Sequence, residues 1–185
     1  MKKILILLVV VFSSAMYAQD YKISNFYEGY IIKTDGSKER GYILYDDESQ
    51  RYEQVIFKKE LKGKREKFKP KDIAGYKVAD QLYHTVQFRD IPFKNTKFLL
   101  LEKDGCLQMY SYRTLSEGGW STNMILQNSE QAINTQNFII GYADKMADLV
   151  KADKTLAQKI RNKEKGYSLL NMETIVDEFN ANCKS

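Results

Sequence analysis

Hydrophobic and polar positions change their spacing along this chain, short apolar runs giving way near Thr135 to a helical stripe. Between Tyr27 and Tyr45, two aromatic-rich runs, Gly29–Ile32 and Gly41–Tyr45, flank Asp35-Gly36. Asp-Gly between such runs predicts a tight hairpin, because glycine adopts the positive φ that the turn needs. Both arms carry apolar residues at consecutive positions, so both faces are expected to be covered; a sheet with one wet face would alternate. Asp46–Glu53 reads as a polar connection. Val55–Phe57, Lys67-Phe68 and Gly75–Val78 read as further strands, separated by a basic turn at Gly63-Lys64 and a turn or single helical turn at Pro70–Ile73. Short strands punctuated every 8–12 residues or so predict a small antiparallel β-barrel over about residues 26–90, with an SH3-like form as the expectation.

Beyond it, Lys97–Glu102 and Leu107–Arg113 meet at Asp104-Gly105, a second hairpin signal. Gly118-Gly119-Trp120 marks a loop, and Asn123–Gln127 with Gln131–Ile133 reads as a third hairpin across Asn128–Glu130. Such a series is a β-meander over about 97–134 and not an internal duplication. From Thr135, Phe138, Tyr142, Met146, Leu149, Leu156 and Ile160 fall on one helical face. Asp153 suits the N-cap of a second helix near Lys154, and Gly166 closes that segment. Leu169, Met172, Ile175, Val176, Phe179 and Cys183 then line a last helix. The predicted class is α+β: a β-rich region over 19–134 and two or three helices over 135–185, packed on the sheet and sharing its core. Asp144, Asp148, Asp177 and Glu178 make the helical polar faces too acidic for an anionic membrane surface.

The first residues follow another logic. Lys2 and Lys3 precede an apolar run, Ile4–Phe12, and Ser13-Ser14-Ala15 leads to Ala18. This is the pattern of a secretory signal peptide, residues 1–18, cleaved between Ala18 and Gln19. No cysteine near that point offers a lipid acceptor, and no later run approaches the ~20 apolar residues of a membrane-spanning helix. The mature chain is therefore expected to be exported, to the periplasm, to the outer membrane as an associated protein, or to the medium. Removing the leader lowers the formal charge from +5 to +3, too mild a balance to imply a polyanion by itself. Thirteen tyrosines against two prolines suit a sheet-rich domain and not a disordered stalk.

In this order the segments resemble a family of uncharacterised exported proteins of Bacteroidota-type bacteria. The matching residues are the GYII…DG…GYI hairpin at 29–43, Val55–Lys58, FKPKDIAGYKV at 68–78, LLLEKDGCLQMYSY at 99–112 and IVDEFN at 175–180, where the family pattern has Tyr at Phe179. These are turns, strands and a terminal helix, so the resemblance implies export and carries no activity.

Chemistry-bearing residues are sparse. His84 is the single histidine, which leaves no second imidazole for a metal site or relay, and no G-x-S-x-G elbow accompanies it. Cys106 and Cys183 are the only cysteines. In an oxidising compartment they are candidates for a disulfide tying the Asp104-Gly105 turn to the last helix; the alternative is a pair of small buried apolar side chains. The acidic groups Asp46-Asp47-Glu48 and Asp177-Glu178 are adjacent in sequence and so point apart, unlike a convergent catalytic pair. No phosphate-cradling glycine motif is present and no cofactor is implied. The run Lys58, Lys59, Lys62, Lys64, Arg65, Lys67, Lys69 and Lys71, bracketed by Phe57 and Phe68, is a candidate patch for an anionic partner. Outside the cytoplasm that partner is an anionic glycan, a lipid headgroup or an envelope protein, and not nucleic acid. The bland reading is a solvated hairpin tip whose charges protect a sheet edge. The expected function is a non-enzymatic binding or interaction module of the envelope; the rival is a hydrolase of envelope glycans or lipids.

Overall fold

The structure is a computed structural model that describes residues 20–90 and 93–183, so the signal-peptide reading lies outside the described residues. Ten strands form one sheet: β1 (Asn25–Ile32), β2 (Lys38–Tyr45), β3 (Val55–Lys58), β4 (Glu66–Phe68), β5 (Gly75–Val78), β6 (Gln81–Asp90), β7 (Phe93–Lys103), β8 (Gln108–Ser116), β9 (Gly119–Gln127) and β10 (Ala132–Asn134). Their spatial order is β10-β9-β8-β7-β6-β5-β1-β2-β3-β4, each neighbour antiparallel to the next; β10 also makes one parallel pair with β6, Ile133 to Arg89. The Tyr27–Tyr45 stretch is the β1–β2 hairpin. Gly36 holds φ +83° in its turn, and the Asp35 carboxylate accepts the Ser37 N–H at 2.8 Å.

The expected SH3-like barrel over 26–90 is not formed, because the sheet does not close. β5 pairs with β1, but its second edge is taken by β6, leaving β4 as the outermost strand. The two-faced apolarity that suggested a barrel has another cause. Ile31 and Ile43 are buried in the core. On the other face, basic side chains lie over the rings: Lys58 Nζ is 4.3 Å from the Phe26 centroid and Lys38 Nζ 4.9 Å from that of Tyr30. Long basic stems cover apolar surface while keeping their charge in water.

β5, β1 and β2 are neighbours in the sheet, and each carries a Gly-Tyr pair. A Cβ at Gly29 would lie 2.1 Å from the Lys77 carbonyl oxygen, and one at Gly75 2.3 Å from that of Tyr83. At Gly41 it would meet the Phe57 ring at 2.5 Å. Glycine is needed here for close approach, not for a left-handed backbone.

Two apolar clusters are built on the strands. Ile31, Ile43, Phe57, Tyr76, Tyr83, Phe98, Tyr110 and Ile125 belong to the first. Leu107, Met109 and Leu126 pack instead with the helices. Met109 beside Tyr110, and Leu126 beside Ile125, show the period of two that lets β8 and β9 serve both clusters. Glu117-Gly118 forms the tight end of a long β8–β9 hairpin, with Gly119 and Trp120 already in β9 and paired to Ser116 and Leu115.

The polar connection 46–53 holds a short helix, α1 (Glu48–Glu53). The Asp47 carboxylate accepts N–H groups of Ser49 and Gln50, satisfying donors that a helix start leaves open. The C-terminal stripe is divided into α2 (Tyr142–Leu149), α3 (Lys154–Arg161) and α4 (Met172–Asn182). Phe138 lies in a 3-10 turn ahead of α2, which Gly141 separates by taking φ +74°. Asp153 caps α3 through the Leu156 N–H at 2.9 Å.

Candidate functional site

The outer face of the opening hairpin carries the most suggestive arrangement of side chains. Along β1, Phe26, Glu28 and Tyr30 alternate with the inward positions; across the ladder Tyr30 pairs with Arg40 and Glu28 with Tyr42. Lys77 of β5 lies opposite Tyr30, and Lys58 of β3 opposite Tyr42. Directly paired and diagonal residues of one face lie within reach of each other. Glu28, Tyr30, Arg40, Tyr42, Lys59 and Lys77 thus line an open groove of about 470 Å³ over Gly29 and Gly41.

The electrostatics of this groove are unusual for a protein surface rich in ion pairs. Among the described residues, no charged partner faces Glu28, Arg40 or Lys77 at bonding distance. Lys59 reaches Glu39 only at 3.9 Å. Lys38 covers Tyr30, and Lys58 with Arg65 covers Phe26, but no described cation lies over Tyr42. The groove therefore offers one ring with no described cation over it, three cations and one carboxylate.

The basic run singled out in the sequence divides into groups with different surroundings. Lys58 lies on Phe26 and donates to the Leu61 carbonyl at 3.0 Å. Arg65 sits 5.5 Å from the same ring. Lys59 alone joins the hairpin groove. Lys62 and Lys64 are exposed in the turn between β3 and β4. Lys67, Lys69 and Lys71 line a separate depression with Glu53, Gln54 and Thr96.

The other candidates take structural partners. The His84 Nδ1 meets the Tyr110 hydroxyl at 3.0 Å, that hydroxyl donates to Gln108 at 2.8 Å, and the Gln108 amide donates to Asp104 at 2.9 Å. Burial holds the His84 imidazole below its ordinary range, opposed by the Asp104 charge. Cys106 and Cys183 are joined in a disulfide. Around it the Asn180 side chain accepts the Leu107 N–H and donates to the Leu107 carbonyl, both at 2.9 Å. Lys103 pairs with Asp177 at 2.7 Å. Of the acidic residues, Asp47 caps α1, Glu48 pairs with Arg113 at 2.9 Å, and Glu178 pairs with Lys159 at 3.2 Å. Trp120 is half exposed, with the Arg113 guanidinium 5.1 Å from its ring. Among the described residues, no three His, Cys, Asp or Glu side chains are grouped to hold a metal ion.

Arg51 was hidden in the polar connection. It is buried, and among the described residues it forms no ion pair: Nη1 donates to Gln81 and, at 3.1 Å, to the Tyr83 hydroxyl, while the guanidinium lies 4.5 Å from the Tyr45 ring. Its own carbonyl accepts the Tyr76 hydroxyl at 2.7 Å. This network fixes α1 to the sheet and leaves Nε buried without a partner.

No protein family, curated protein or solved structure compared with the chain matches it. No described helix is long and apolar enough to cross a membrane. Sequence reading missed Tyr30, Arg40, Tyr42 and Lys77 as a group because the hairpin's turn and two-faced apolarity pointed to a covered surface on both sides. A usable signal was present: aromatic and charged residues at every second position of two paired strands predict one shared face.

Proposed function

We propose that this is an exported protein of the cell envelope, periplasmic or outer-membrane-associated, acting as a non-enzymatic binding module. Its contact surface is the outer face of the β1–β2 hairpin, and its partner is anionic. The observation that carries this reading is the groove in which Arg40 and Lys77 have no described ion-pair partner beside the Tyr42 ring, over which no described cation lies. Charged groups without ion-pair partners can meet a ligand without first breaking an existing pair, and aromatic rings add contact area. Export rests on Lys2-Lys3, the apolar run Ile4–Phe12 and Ala18. The hydrolase reading would need His84 within hydrogen-bond reach of a serine or an aspartate; its Nδ1 meets the Tyr110 hydroxyl, and Asp104 is linked to it through Tyr110 and Gln108.

The test is a pulldown from envelope fractions with the tagged mature chain and two variants. Arg40→Ser/Lys59→Ser/Lys77→Ser is expected to lose the partners. Lys62→Ser/Lys64→Ser/Lys67→Ser/Lys69→Ser, which spares all three cations lining the groove, is expected to retain them. Identical partner sets for the wild type and the first variant would refute the groove. N-terminal sequencing of the protein from its host is expected to begin at Gln19, and a sequence starting at Met1 would refute export by cleavage.

A further inference from the structure

Three features of the hairpin groove narrow the chemistry of its occupant, on the premise that the binding-module reading holds. We infer that the groove takes a carboxylated oligosaccharide, with a sugar ring stacked on Tyr42 and its carboxylate bonded to Arg40, Lys59 or Lys77.

The first feature is the ring itself. Tyr30 and Phe26 already carry cations over their faces, whereas Tyr42, half-buried in the groove lining, has none among the described residues and is the ring on which the apolar C–H side of a pyranose would stack. The second is the cation set. Arg40 is a planar fork suited to a carboxylate, and Lys59 and Lys77 are point charges at other positions of the same groove. The third is Glu28. It lies in the groove opposite Tyr42, with no described cation to neutralise it. A carboxylate there accepts hydrogen bonds from sugar hydroxyls, donors that a polyphosphate chain does not carry. The side chains of Tyr30 and Tyr42 are half-buried in a depression and do not project as membrane-inserting residues do. Together these features favour an acidic glycan over a polyphosphate chain or a lipid surface.

The experiment measures binding of the mature chain, disulfide intact, to four probes by calorimetry: an oligogalacturonate, the same oligosaccharide methyl-esterified, inorganic polyphosphate, and vesicles containing phosphatidylglycerol. Oligogalacturonate is expected to bind at least about tenfold more tightly than its ester, as loss of a charge-assisted hydrogen bond implies. Tyr42→Ala and Arg40→Gln are each expected to weaken it by a similar factor, while Tyr42→Phe keeps the ring and the affinity. If polyphosphate or vesicles bind as tightly as oligogalacturonate and Tyr42→Ala changes nothing, the glycan inference is overturned while the anion-binding reading stands. If no anionic probe binds, both are overturned. Thermal unfolding of each variant, unchanged from the wild type, separates lost contacts from lost structure.

Discussion

Gly41 and His84 show how single residues here are constrained by neighbours far away in sequence. A Cβ at Gly41 would lie 2.3 Å from the Lys58 carbonyl oxygen, a backbone atom that cannot swing aside. Gly41→Ala is therefore expected to destabilise the protein by about 1–3 kcal/mol, the usual cost of overpacking, although alanine is no worse than glycine for an exposed strand. Urea unfolding checks this, and an unchanged midpoint would show that β2 and β3 shift apart freely to admit the methyl group. His84 supplies a pH dependence. Burial is the main cause that lowers its pKa from 6.5. The unfolded chain therefore takes up a proton at a higher pH than the folded one, and stability falls as pH drops from about 6.5 toward the depressed folded value. His84→Gln is expected to flatten the difference in unfolding midpoint between about pH 7.5 and about pH 5.5. An equal slope in both proteins would place that titration elsewhere.

At the scale of elements, the disulfide and its surroundings hold the β7–β8 turn against α4. The bond spans 77 residues of sequence, so in the chain-entropy model it stabilises by about 4–5 kcal/mol. Cys106→Ser and Cys183→Ser are each expected to lower the unfolding free energy by that order, and the double variant by no more than either alone. A loss under about 1 kcal/mol would mean that Asn180 and the Lys103–Asp177 pair already fix the turn. The short helix α1 teaches a different lesson. Six residues are too few to show a helical period, so Asp47 as a cap and Tyr52 as a buried residue were legible only once Arg51 was seen bonded to Gln81 and Tyr83.

Across the whole molecule, β8 and β9 couple the two apolar clusters. Their alternating residues serve the tyrosine-rich cluster on one side and the helices on the other. Neither cluster can lose its packing without exposing the other. The expected outcome is one cooperative transition, with near-ultraviolet circular dichroism of the tyrosines and the far-ultraviolet helical signal unfolding at the same urea concentration. Separate midpoints would show that the helical end is an independent unit. The same coupling explains why the barrel expectation failed. Strand existence depends on local patterns, but closure depends on which edge each strand meets. β6 takes one edge of β5 through a local hairpin across Ala79-Asp80, while β1 takes the other from far earlier in the chain, and no short window of sequence contains that second choice.

The sequence by itself determined the hairpins at Asp35-Gly36 and Asp104-Gly105, the change to helical spacing near Thr135 and the Asp153 cap, because these depend on backbone conformations and periods within a few residues. Only the tertiary structure decided the open ten-strand order, the dispersal of the Lys58–Lys71 run into separate surroundings, and the groove of the opening hairpin. Tyr30 and Tyr42 became candidate contacts when the ladder set them diagonally across Gly29 and Gly41, and when Lys59 and Lys77 arrived from neighbouring strands. Side-chain convergence of that kind is a property of strand register and sheet order, which long-range pairing fixes and local sequence does not.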